Sequence, residues 1–361
     1  MLNPTSETKT TAAADAAPTA SSRAHASGPG DSAATLLALL DEGLALWPEY
    51  RAQLSSHLPM ALDALQQLGA SSQRLREFQR HYALRLRPVP EHARDAHRPE
   101  CMGRIEDYPQ WFAHYRAALA ARGRDGLLRA ELPVLMPGVS AVAFHGLIRT
   151  GHALRHGHQG ELAAALAYWA SRYQPLPAPT DMRPMTLTDW LAALRALPGA
   201  EAMPQRGLIA ERMADWGLRA DWRALAGRLP DAELPALARG AAALYAATAS
   251  FTVLHLITAS AALRALQPWL DGEPGSARQF IHAAAAALMA SGAVQATAAL
   301  PAGDEAVLPD WPRLAADAIA QHDDHVIKLV AACRAHAAAD PAPVWQAAAA
   351  RALQPKTPQA P

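Results

Sequence analysis

Four histidines of this 361-residue chain stand inside apolar helical patterns: His57 in SSHLPMALDALQQLGA, His145 in FHGLIRTGHALR, His255 in FTVLHLITASAALRAL and His325 in HDDHVIKLVAACRAH. An unpartnered imidazole in apolar surroundings is costly, whereas one that ligates a metal or is hydrogen-bonded is not. For any one of them the plain reading is a core histidine satisfied by a backbone or hydroxyl partner. Four in one chain raise the question of a shared site.

His145 and His152 are two helical turns apart and share a face, with Arg149 between them at i+4 from His145. Such a face could hold a metal and an anion. The alternative is that Arg149 and Arg155 line a solvated stripe and only His145 points inward. Near the other end of the chain, Lys328 follows His325 by one turn, and His322 precedes it by one. Lys328 stands out because the only other lysines, Lys9 and Lys356, lie in the terminal tails and arginine is used elsewhere. On a surface helix Lys328 would pair with Asp324 at i,i+4, worth a few tenths of a kcal/mol. Buried beside a metal, it would lose its proton readily, react with carbon dioxide and offer a carbamate oxygen as a ligand. Spacing leaves both readings open.

Other chemistries are absent or weak. His322 and Asp324 form an H-x-D pair, but residues two apart on a helix do not converge. There is no H-E-x-x-H, G-x-S-x-G, P-loop or G-x-G-x-x-G, so neither a flavin nor an NADPH site is visible. Two rival readings remain: a helical phosphohydrolase with His322 and Asp323 as its HD pair, and a non-catalytic helical scaffold with packed, dry histidines.

The elements that must position these residues are helices. The long apolar runs are rich in alanine and leucine at helical spacing, with little alternation of β-branched residues, which predicts an all-α fold. One large helical domain over residues 33–350 is expected, flanked by disordered tails at 1–32 and 351–361. Six prolines between Pro175 and Pro204 mark the longest connection, which divides it into two packed halves if any feature does. Ala241–Leu263 has no charged residue and is long enough on paper to span a bilayer. Its His255, its Thr and Ser residues and the flanking Arg239 and Arg264 favour a central buried helix instead.

With 51% apolar and 18% charged residues and a formal net charge of zero, the composition is globular and offers nothing to nucleic acid or an anionic membrane. Cys101 and Cys333, far apart, fit a reducing, cytosolic setting.

Taken in order and at these separations, the four histidine segments resemble those of the questin oxidase-like family, over the stretch from Leu54 to His336. The resemblance implies an oxidoreductase that opens or inserts oxygen into anthraquinone-type aromatic substrates, described as a Baeyer–Villiger-type oxidation. In a relative that is a non-haem iron dioxygenase, the iron is held by four histidines and a carboxylated lysine. Carried over by motif, the ligands here are His57, His145, His255, His325 and Lys328. The implied cofactors are Fe(II), dioxygen as co-substrate and a carbon dioxide-derived carbamate on Lys328, and Arg149 or His152 is expected to bind the substrate enolate. The chain departs from the fungal members in having Ser56 before His57 and in having His152 where many carry an aromatic residue.

Overall fold

A computed structural model describes residues 29–51, 53–90, 97–202, 207–270, 275–299 and 308–355. The first 28 residues of the expected N-terminal tail, and Lys9, Lys356 and the rest of 356–361, lie outside the described residues. Residues 29–32, assigned to that tail from sequence, instead open the first helix, and 351–353 close the last one.

The fold is all-α. In chain order the helices are α1 (Pro29–Gly43), α2 (Leu58–Leu68), α3 (Ser72–Ala83), α4 (Tyr108–Leu135), α5 (His145–His156), α6 (Gln159–Ser171) and α7 (Leu187–Arg195). They continue with α8 (Ile209–Gly217), α9 (Ala220–Ala226), α10 (Leu234–Thr248), α11 (Phe251–Leu270), α12 (Ser276–Ala290), α13 (Trp311–Ile319), α14 (Asp324–Ala339) and α15 (Val344–Leu353). A two-residue antiparallel pair, Glu49–Tyr50 with Leu54–Ser55, is the only sheet among the described residues.

Helices from the two ends of the sequence interleave. α2 packs on α14 and α5, and α5 packs on α11, which also meets α14. One contiguous apolar core runs from Leu36 to Ala352. The proline-rich stretch between Pro175 and Pro204 holds α7, with irregular chain before it. Alanine allows the close packing: Ala283–Ala290 of α12, which includes Leu288 and Met289, is buried throughout. α5 comes closest. A Cβ on Gly146 would sit 2.5 Å from the Trp169 ring of α6, and one on Gly151 would sit 2.8 Å from the Ala262 Cα of α11.

The run Ala241–Leu263 is two helices, not the single one expected. Ala249 adopts a left-handed φ of 52°, ends α10 through a bond from its N–H to the Tyr245 carbonyl, and lets α11 restart at Phe251. No helix among the described residues is long and apolar enough to cross a membrane.

Candidate metal centre

The four histidines arrive from four helix starts or first turns. His57 immediately precedes α2, whose first turn carries Pro59 where a missing N–H costs nothing. Its own N–H donates to the Tyr82 hydroxyl at 2.8 Å, tying it to α3. His145 is the first residue of α5. Val142, Ala143 and Phe144 before it hold φ of 43°, 56° and 67°, a left-handed run that non-glycine residues rarely adopt and that costs on the order of 1–3 kcal/mol per residue. His255 sits one turn into α11, and His325 follows the start of α14, where the Asp323 carboxylate caps the helix by accepting the His325 N–H at 3.0 Å.

Their rings meet. Centroid separations are 4.6 Å for His57–His145, 4.5 Å for His57–His325, 5.0 Å for His145–His255 and 5.6 Å for His255–His325. The Nδ1 atom of every ring faces an oxygen that accepts. His57 and His325 each donate to Asp324 Oδ1, at 2.7 and 2.8 Å. His145 donates to the Val142 carbonyl, and His255 to the Phe251 carbonyl at 2.8 Å. With each proton placed on Nδ1, every Nε2 presents a lone pair. The Nε2 atoms of His57 and His145 lie 2.6 Å apart.

The electrostatics suit neutral imidazoles. Burial is the main cause that lowers His57 to about 3, and it holds His145 and His255 well below the usual range; the charge of Lys328 adds to the effect on all three. Burial would raise the Asp324 carboxyl, but His57 and His325 beside it outweigh this and hold it well below the carboxylate range. Asp324 therefore stands as an anion that orients two rings from their Nδ1 side. It could also approach a metal with His57 and His325, since one potential ligand atom from each of the three falls within 4.8 Å of the others. The two hydrogen bonds it already accepts favour the orienting role.

Lys328 is buried, at 2% exposure, so it does not stand on a solvated helix face. Burial lowers its ammonium to about 8, against the pull of Asp324 and Asp323. The Asp324 carboxylate is turned toward His57 and His325, with Arg85 3.7 Å from its other oxygen.

Arg149 and His152 are placed otherwise than expected. The Arg149 fork closes on Glu161 at 2.6 and 2.9 Å, both side chains buried. His152 is buried too, against the reading that only His145 points inward, and its Nδ1 meets Asp63 Oδ2 at 2.6 Å. Neither lines the cavity that opens on the four histidines. Both are held by carboxylates inside the core, and helical spacing could not show those partners. The HD pair also separates: Asp323 serves as a helix cap, and the His322 ring packs toward His81, 5.2 Å between centroids.

That cavity, of about 530 Å³, has the four histidines at one side, and its walls include Tyr50, Tyr173, Arg172, Arg212 and Phe251. Phe251 is half exposed, at 52%, with its ring 4.6 Å from that of His325 and 4.9 Å from that of His255. Arg172 is neutralised by Glu49, which it grips at 2.5 and 2.7 Å.

The donor set fits a transition metal such as iron or zinc: neutral imidazoles with free Nε2 lone pairs, their other nitrogens fixed by oxygen acceptors. In comparison with known proteins, a family model described as questin oxidase-like matches residues 54–333, more than three quarters of the chain and a span that includes all four histidines and Lys328. No curated protein matches.

Proposed function

Because the chain belongs to the questin oxidase-like family, which supports an oxidoreductase role, we propose that it is a non-haem iron oxygenase acting on an electron-rich, polycyclic aromatic substrate. The observation that carries this reading is the engagement of all four Nδ1 atoms by acceptor oxygens in rings that lie against one another, which leaves the Nε2 atoms as the available donors to a metal.

His57, His145, His255 and His325 would hold the metal through Nε2, and Lys328, as a carbamate, would add an anionic oxygen. Bound iron supplies the one-electron chemistry by which dioxygen reacts with a closed-shell organic molecule. The protein supplies the rest. Asp324 fixes two rings and balances positive charge. The strained turn Val142–Phe144 aims a third. A buried lysine lowered to about 8 is in part neutral near physiological pH, as reaction with carbon dioxide requires. The cavity, within the size range of small-molecule sites, admits a planar ring system beside Phe251 and keeps it next to the histidines.

The test is oxygen uptake by protein loaded anaerobically with Fe(II), measured against a panel of hydroxyanthraquinones with product mass read in parallel. Substrate-dependent uptake with oxygen incorporated into the product is expected, and loss of both in Lys328→Arg. Absence of uptake across the panel in fully iron-loaded protein would overturn the assignment.

A further inference from the structure

We infer that the molecule bound in the histidine-lined cavity is an anionic aromatic compound, its acidic oxygen held by Arg212 and its ring laid against Phe251. The inference rests on the proposed function for the purpose of the site, but not for the binding itself.

Arg212 belongs to α8 and lines the cavity. Its Nε–H donates to the Ala290 carbonyl at 3.1 Å, at the C-terminal end of α12. Nη1 donates to the Gly207 carbonyl at 2.6 Å, and Nη2 reaches the Thr252 hydroxyl at 3.5 Å. All three acceptors are uncharged. Capping α12 accounts for the first bond, but a guanidinium carries five N–H groups, so its donors are not exhausted. The neighbouring carboxylate Glu211 is exposed and accepts the Leu208 N–H at 2.8 Å, which fixes the start of α8.

The contrast with Arg172 is direct. Both arginines line the cavity, but Glu49 occupies the fork of Arg172. Arg212 has no carboxylate in its fork; partial burial disfavours its charge, and the Glu211 carboxylate, also on the cavity wall, offsets that only in part. A ligand anion would compensate the charge through charge-assisted hydrogen bonds. The Thr252 contact ties the guanidinium to the residue after Phe251, which shares the cavity wall, and His255 follows one turn later on the same helix, α11. An anion on Arg212 would thus place an attached ring over Phe251 and toward the four histidines.

Binding to the full-length protein, metal-free and iron-loaded, is measured by calorimetry with two ligand pairs: anthraquinone-2-carboxylate against its methyl ester, and 2-hydroxyanthraquinone, at a pH where it is ionised, against its methyl ether. In at least one pair the anion should bind about tenfold or more tightly than its neutral partner; the pair with the larger ratio identifies the acidic group. Arg212→Met should bring that ratio close to one with the neutral ligand's affinity little changed, and Arg212→Lys should keep part of it. Should the apolar variant fail to fold, Arg212→Gln, which can still donate to the Ala290 carbonyl, takes its place. No preference in the unmodified protein, or a preference unchanged by loss of the guanidinium, overturns the inference. Failure to bind iron with the anion preference intact would overturn the oxygenase reading alone.

Discussion

His57 and His145 face each other across 2.6 Å, Nε2 to Nε2, with their rings stacked within 8° of parallel. Since the Nδ1 of each is already a donor, to Asp324 and to the Val142 carbonyl, the close approach sets two lone pairs against each other. A cation bound by both nitrogens, with the rings drawn slightly apart, removes that repulsion. This is the physical basis for reading the cluster as a metal centre rather than as packed, dry histidines.

Asp324→Asn should weaken metal binding by about 10–100-fold without loss of fold, because the amide removes the negative charge that makes Oδ1 a strong acceptor for both His57 and His325. Competition with a chelator of known affinity reads the change. An unaltered metal affinity would place Asp324 outside the site's function.

Arg149→Leu should destabilise the protein by about 3–5 kcal/mol, since it leaves Glu161 as an unpaired buried group. Metal content of the folded fraction should remain that of the unmodified protein. Denaturant unfolding together with metal analysis distinguishes this from the substrate-binding role expected from sequence.

Gly151→Ala should push α5 from α11, because the added methyl meets Ala262 backbone at 2.8 Å. A loss of about 1–3 kcal/mol is expected from overpacking. Metal affinity should fall as well, since these two helices carry His145 and His255. Stability and affinity both unchanged would show that the helix contact does not set the site.

Acid sensitivity is expected from histidines outside the site. His282, stacked on Trp222 and buried with its Nε2 unpartnered, is lowered from 6.5 to about 4 chiefly by burial. The unfolded chain thus binds a proton that the native state refuses between these values. Stability from this group is complete above about pH 6.5 and falls as pH drops toward 4, by up to about 3 kcal/mol. His282→Phe should reduce the difference in unfolding free energy between about pH 7 and pH 5. An identical difference in both proteins would contradict this.

The helical class and the four histidines were legible in sequence because a titratable ring within an apolar helical period is conspicuous, although the same signal does not set them apart from His282 in α12. Their partners were not. Asp324 is one turn from Lys328 and reads as its i,i+4 mate, yet its carboxylate is claimed by His57, distant in sequence and brought near only by the packing of α2 on α14. The break at Ala249 carries no turn signal, since alanine in a left-handed conformation looks like any alanine of a helix. Among many arginines, the one whose fork is left without a carboxylate on the cavity wall is decided by which have a buried acidic partner. Arg149 and Arg172 do, and Arg212 bonds to neutral oxygens.

The most direct measurement is iron per chain after anaerobic loading and removal of loosely bound metal, for the unmodified protein, His255→Gln and Asp323→Ala. One iron per chain is expected in the unmodified protein and in Asp323→Ala, with near-complete loss in His255→Gln. Full retention in His255→Gln, or loss confined to Asp323→Ala, would contradict a centre built from the four histidines.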